Sequence, residues 1–108
     1  MIPQDYTVID LEMTGLHPKN DAILEVGAAK IRNGEVTDTM DIFVNPGRKI
    51  TQEITELTGI TDEMVKEGLS PAAAFHKTAE FIGDDILVGH NIISVSYTHL
   101  RAHETSLH

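Results

Sequence analysis

The sequence predicts a mixed α/β domain, and three observations carry that prediction. Short β-branched and apolar runs fall at residues 6–11, 22–31 and 36–44. Asn33-Gly34 stands between the second and third runs, a dipeptide suited to the positive φ angles of a tight hairpin. After residue 50 the period turns helical, then returns to a short apolar strand at residues 86–88. The order strand-strand-strand, helices, strand belongs to neither a bundle nor a sandwich.

The elements follow in order. The first strand stops at Thr14-Gly15-Leu16-His17-Pro18, where Gly and Pro mark a loop. The second draws apolar bulk from Ile23, Leu24, Val26 and Ile31, and the third closes at Asn45-Pro46-Gly47. Two short helices are expected over residues 50–57 and 61–65, with Thr61 and Asp62 as candidate caps for the second. Ser70-Pro71 starts a longer helix with Pro in its first turn. Ala74, Phe75, Thr78, Ala79, Phe81 and Ile82 give it a broad apolar face, and Gly83 ends it. No internal repeat divides the chain.

Composition narrows the function classes. At 108 residues, 41% hydrophobic and 23% charged, the chain is one ordinary globular domain. No apolar run is long enough for a membrane span and no secretory signal opens the chain, so a cytoplasmic protein without a membrane partner is expected. With no cysteine, any metal must sit on oxygen or histidine. Eight basic against seventeen acidic residues leave a net charge of −9 and no basic stripe. A nucleic-acid ligand would then bind weakly and depend on bound cations. Most of the acidity reads as solvated surface.

One constellation carries chemistry. In Asp10-Leu11-Glu12-Met13-Thr14-Gly15 the carboxylates stand at i and i+2, on one face of the first strand near its end. Adjacent carboxylates repel unless a cation or proton intervenes, and hard oxygen ligands suit Mg²⁺ or Mn²⁺. Alone, such a pair is more often solvent-facing charge than a metal site.

Asp10 to Leu16, with Ile23-Leu24-Glu25-Val26-Gly27 after it, resembles the first motif region of the DnaQ-like DEDD exonucleases. That superfamily includes the epsilon-type proofreading subunit of bacterial DNA polymerase III. Asn45-Pro46, Leu57-Thr58-Gly59-Ile60-Thr61 and Val88-Gly89-His90-Asn91 follow in the family's order, so the likeness covers roughly residues 4–93. It implies an RNase H-like fold, with three antiparallel strands, helices and a strand parallel to the first, incomplete at its C-terminus. The uncovered sheet would then be poorly stable or aggregation-prone.

The activity implied is 3′→5′ exonucleolysis to nucleoside monophosphates with two Mg²⁺ or Mn²⁺ ions. The partner implied is the 3′ end of single-stranded DNA or RNA, with a DNA polymerase as a protein partner. Asp10 and Glu12 match the first two metal ligands. Met13, Thr14, Gly15 and Leu16 match the segment that holds the terminal nucleotide. Ile60 resembles an apolar residue near the terminal bases, with core packing as the equal alternative. Glu25 reads as structural, anchoring donors near the site. His90 and Asn91 lie in the second motif region as substrate contacts, although a structural histidine at a strand end is the commoner case.

The pattern breaks after Asn91. Val95 stands where the resemblance expects the third metal-binding Asp, and valine offers a metal no lone pair. The family's last motif, with its His and Asp, would lie beyond residue 108. His103 and His108 share that motif's offset by coincidence, because the spacing from Asn91 is too short. Residues 1–93 therefore read as the N-terminal part of an exonuclease domain. Residues 94–108 read as a non-family tail, a sequencing or assembly scar. A native gene continuing into this same tail would end that idea. The expectation is an inactive copy. The alternative is a non-catalytic RNase H-like scaffold or interaction module, and a His-tail metal binder is a third reading.

Overall fold

The computed structural model describes residues 4–14 and 21–89. Gly15, Leu16, His90, Asn91 and residues 94–108, given roles above from the sequence, lie outside the described residues. Four strands form one sheet in the order β3-β2-β1-β4. These are β1 (Tyr6–Met13), β2 (Ile23–Arg32), β3 (Glu35–Phe43) and β4 (Leu87–Gly89). Both β1–β2 and β2–β3 are antiparallel, whereas β4 runs parallel to β1 with Thr7 opposite Leu87 and Ile9 opposite Gly89. Between β3 and β4 come α1 (Gln52–Thr58), α2 (Asp62–Lys66) and α3 (Pro71–Ile82). The expected order is therefore the observed one.

Local chemistry explains these boundaries. Asn33 and Gly34 have φ of 53° and 76°, the left-handed pair that a two-residue hairpin requires. Thr51, Thr61 and Ser70 cap the three helices, each side-chain oxygen accepting a hydrogen bond from a first-turn amide. Asp62 is not a cap; its carboxylate accepts instead from the Ile50 amide at 2.8 Å. Helices of 7 and 5 residues are too short to persist alone. Tertiary packing holds them.

The core lies on one side of the sheet. Ile9, Leu11 and Met13 of β1, Ile23 and Val26 of β2, and Ala74 of α3 form its main cluster, with Phe75 and Ile82 packed against it. A second cluster joins Leu24, Ile50, Ile60 and Val65 beneath α1 and α2. Fully burying side chains of this size contributes about 1.5–3 kcal/mol each. The apolar face of α3 is narrower than the sequence suggests, since Ala79 is exposed and only Ala74 and Thr78 are fully buried.

Where β3 leaves the sheet, the bridge between Val44 and Leu69 ties it to the chain ahead of α3. The Leu69 amide donates to the Phe43 carbonyl at 3.0 Å, and the Asn45 amide donates to the Leu69 carbonyl at 2.8 Å. At the opposite end of the sheet, Asp85 accepts from the Thr7 hydroxyl at 2.7 Å and pairs with Arg32 at 2.8 Å. Lys30 donates to the Phe81 carbonyl at 2.7 Å and lies over the Phe81 ring at 5.1 Å. These contacts fix the entry to β4 against β1 and β2.

Candidate active site

Alternation along β1 builds the site. Ile9, Leu11 and Met13 point into the core, which sends Val8, Asp10 and Glu12 to the other face. Asp10 is exposed and Glu12 half-buried. Their Cα atoms stand about 7 Å apart along the strand. On neighbouring strands the register aligns Asp10 with Gly27 and Asp41, and Glu12 with Glu25 and Phe43. A shallow groove of about 400 Å³ results, lined by Asp10, Glu12, Glu25 and Asp41 with Val8, Gly27 and Met40 among its walls.

Four carboxyl groups on one open face carry a recognisable electrostatic signature. Glu25 is pushed up to about 7, first by a hydrogen bond with Asp41, then by burial and by the charges of Asp41, Glu12 and Asp10. In its protonated form Glu25 donates a hydrogen bond to Asp41. The sequence reading gave Glu25 a structural role among donors. Its partner is another acid, and it faces the same groove as Asp10 and Glu12.

The remaining expected residues divide. Met13 is 8% exposed with its side chain in the core. Thr14 is turned to its own loop: its hydroxyl donates to Asp21 at 2.9 Å and accepts from the Ala22 amide at 2.9 Å. Together with the Thr14 amide to Ala22 carbonyl bond, these contacts close the base of the segment 15–20. Ile60 is 3% exposed within the Leu24 cluster, which matches the packing alternative for its side chain. Leu57, three residues earlier, is 80% exposed and presents the free apolar surface of that segment.

Asp41 is not legible in the sequence, since an unbroken two-residue hairpin from Asn33-Gly34 would set it opposite Val26 on the core face. The Ile31–Val36 pairing continues as Lys30–Asp38, so Thr37 is an extra residue in β3. A one-residue slip turns every later side chain over.

Asp10 and Glu12 are hard oxygen donors side by side on an accessible face, which fits a divalent ion such as Mg²⁺ as far as two ligands go. Among the described residues, no group of three His, Asp or Glu side chains is placed to hold a metal. Also among them, no helix is long and apolar enough to cross a membrane.

Comparisons agree on the family. A family model described as Exonuclease matches residues 7–107. The chain is 43% identical over 88 residues, 82% of its length, to the PolC-type DNA polymerase III of Bacillus subtilis. It is 44% identical over 87 residues, 81% of its length, to that of Clostridium perfringens. It spans only 6% of the length of each of these relatives. Escherichia coli exonuclease I in complex with a 5cy-dA13 oligonucleotide superposes with a TM-score of 0.79 at 17% identity, covering 94% of this chain and 24% of that one. Exonuclease I from Methylocaldum szegediense gives 0.73 at 20% identity, over 85% and 21% of the two chains. At such identities the likeness is one of fold, the RNase H-like sheet with helices. By its family match and its polymerase relatives, the chain belongs to the DnaQ-like DEDD exonuclease family.

Proposed function

We propose that this chain carries the first-motif half of a 3′→5′ exonuclease site, acting on the 3′ end of single-stranded DNA, with RNA as the alternative. The carrying observation is the placement of exposed Asp10 and half-buried Glu12 side by side on the open face of the sheet. Asp10 and Glu12 would hold Mg²⁺ or Mn²⁺. A two-ion site supplies activation of water and stabilisation of the departing 3′ oxygen.

The chain's own residues supply position. The backbone from Met13 to Leu16 would hold the terminal nucleotide, with Thr14 fastening the base of that loop. Exposed Leu57 offers the base an apolar surface that buried Ile60 does not. Ile60 acts behind it, holding the segment on the core. His90 and Asn91 are assigned to the substrate by resemblance alone. The polymerase relatives support a DNA polymerase as partner and a cytoplasmic setting.

Val95, where the family pattern has an acid, leads us to expect little or no hydrolysis from these 108 residues. The absence of a third ligand among the described residues favours, as second reading, a non-catalytic scaffold that keeps one weak metal site. The test is thermal unfolding with and without Mn²⁺, together with release from a 3′-labelled oligonucleotide. Mn²⁺ should raise the midpoint of wild type and leave Asp10→Ala unchanged. No Mn²⁺ effect on wild type would remove the metal site. Vigorous, Asp10-dependent release of mononucleotides would refute the inactive assignment.

A further inference from the structure

We propose that the outer edge of β3, with the groove at its end, docks an extended basic segment of a partner protein. The segment adds to the sheet as a further strand, and docking here is independent of the exonuclease reading. β3 is the last strand on its side of the sheet, and among the described residues none lies beyond it. Only its end is occupied, by the Val44–Leu69 bridge. The Val44 amide donates inward to Leu24 at 2.8 Å, whereas the Phe43 carbonyl accepts outward from Leu69 at 3.0 Å. Backbone groups alternate along a strand, so Thr39 and Asp41 also turn their amides and carbonyls outward. The Thr39 amide donates to the neighbouring Asp38 carboxylate at 2.9 Å. Asp41 is exposed, which leaves its outward rung open to an incoming strand.

Charge selects the occupant. β3 carries Glu35, Asp38 and Asp41 and no basic residue, and Glu67 stands at the adjoining groove. Edge acids of this kind oppose pairing with a second copy, since each chain brings a net charge of −9. They repel nucleic acid for the same reason. Lys or Arg on an incoming strand meets them favourably. An edge closed to its own kind thus stays open to complementary charge.

An apolar anchor has a place as well. A groove of about 330 Å³ lies where β3 meets the segment ahead of α3, lined by Ile42, Phe43, Met64, Glu67, Leu69 and Lys77. Met64 is 41% exposed there, and its unbranched thioether adapts to varied side chains. Met40 and Ile42 pack toward the core cluster, whereas Asp41 lies between them on the other face. A strand laid antiparallel along β3 therefore sets one apolar side chain beside Ile42, at the groove, and a basic one beside Asp41. A second basic side chain beside Asp38 completes the pattern.

The test uses the whole 108-residue chain and the fluorescein-labelled peptide TLKVTKT, whose Leu and two Lys fall beside Ile42, Asp41 and Asp38. Fluorescence anisotropy gives the affinity, and amide hydrogen exchange by NMR gives the place. Bound peptide should slow exchange of the Asp41 amide roughly tenfold. TLEVTET, opposite in charge, should bind roughly tenfold more weakly. TLKVPKT, equal in charge, should lose about as much, because its proline donates no hydrogen bond to the Thr39 carbonyl. Asp38→Lys should weaken TLKVTKT and strengthen TLEVTET, and Met64→Asp should weaken both; circular dichroism confirms a native fold for each variant. Equal affinity of wild type for TLKVTKT and TLKVPKT would mean bulk charge alone and overturn the proposal. So would unchanged Asp41 exchange in the bound state, no binding at low salt, or a chain that sediments as a dimer.

Discussion

Gly68 is the position where one methyl group should do most harm. A Cβ built there would lie 2.7 Å from the Phe43 carbonyl oxygen, 2.8 Å from its carbon and 3.1 Å from the Asn45 nitrogen. All three are backbone atoms that no rotamer change can move aside. Overpacking of this kind costs about 1–3 kcal/mol. Relief by separation would break the Leu69–Phe43 and Asn45–Leu69 hydrogen bonds, at about 1 kcal/mol each. Gly68→Ala should therefore destabilise by roughly 2–5 kcal/mol, a large share of a small domain's total. For a domain of this size that lowers the melting midpoint by roughly 8–40 °C. Gly47→Ala is the control: φ is +74° but nothing lies within 4 Å, so only backbone strain of about 1 kcal/mol is expected. Thermal and urea unfolding followed by circular dichroism compare the two. Gly68→Ala unfolding no earlier than Gly47→Ala would refute the close-approach argument.

Other expectations follow from single groups. Glu25 titrates near 7 when folded against an ordinary value of 4.5, so the native state holds the extra proton between those limits and stability falls as pH rises through them. Glu25→Gln should flatten that dependence in pH-resolved melting, and an unchanged slope would exclude the shared proton. Asp85 is held below the usual carboxylate range, first by its hydrogen bond from Arg32 and then by that from Thr7. Its contribution is present above the ordinary value of 3.8 and fades as pH falls below it. Asp85→Asn should thus lower the midpoint at pH 7 and converge with wild type near pH 2, a convergence that melting curves at both pH values would check. Thr78 is 1% exposed with a hydroxyl that has no partner among the described residues. Thr78→Val should stabilise by about 1 kcal/mol, and a loss in urea titration would mean the hydroxyl is satisfied after all.

Much of this fold was legible because it rests on local signals. Asn33-Gly34 demands a left-handed pair, Ser70-Pro71 starts a helix, and alternation from Ile9 to Met13 sets Asp10 and Glu12 on one face. Residues joined only by the finished topology were not legible. Asp85 meets Arg32 across 53 positions, and no pattern near either announces the other. The side chains of Met13 and Ile60 are buried, and the sequence leaves Ile60 equally open to core packing or to substrate contact, because type and neighbourhood do not say which way a residue at an element's end will turn.

Thr37 makes β3 intolerant in an unusual way. Its surface positions from Glu35 to Thr39 are all exposed, so substitutions there should be well accepted. Length is another matter. Losing a single codon at Thr37 would put the remainder of the strand out of phase, sending Asp41 toward the oily side and Met40 and Ile42 toward water. Variation across this stretch should come as exchanges of residue, never as gains or losses of one.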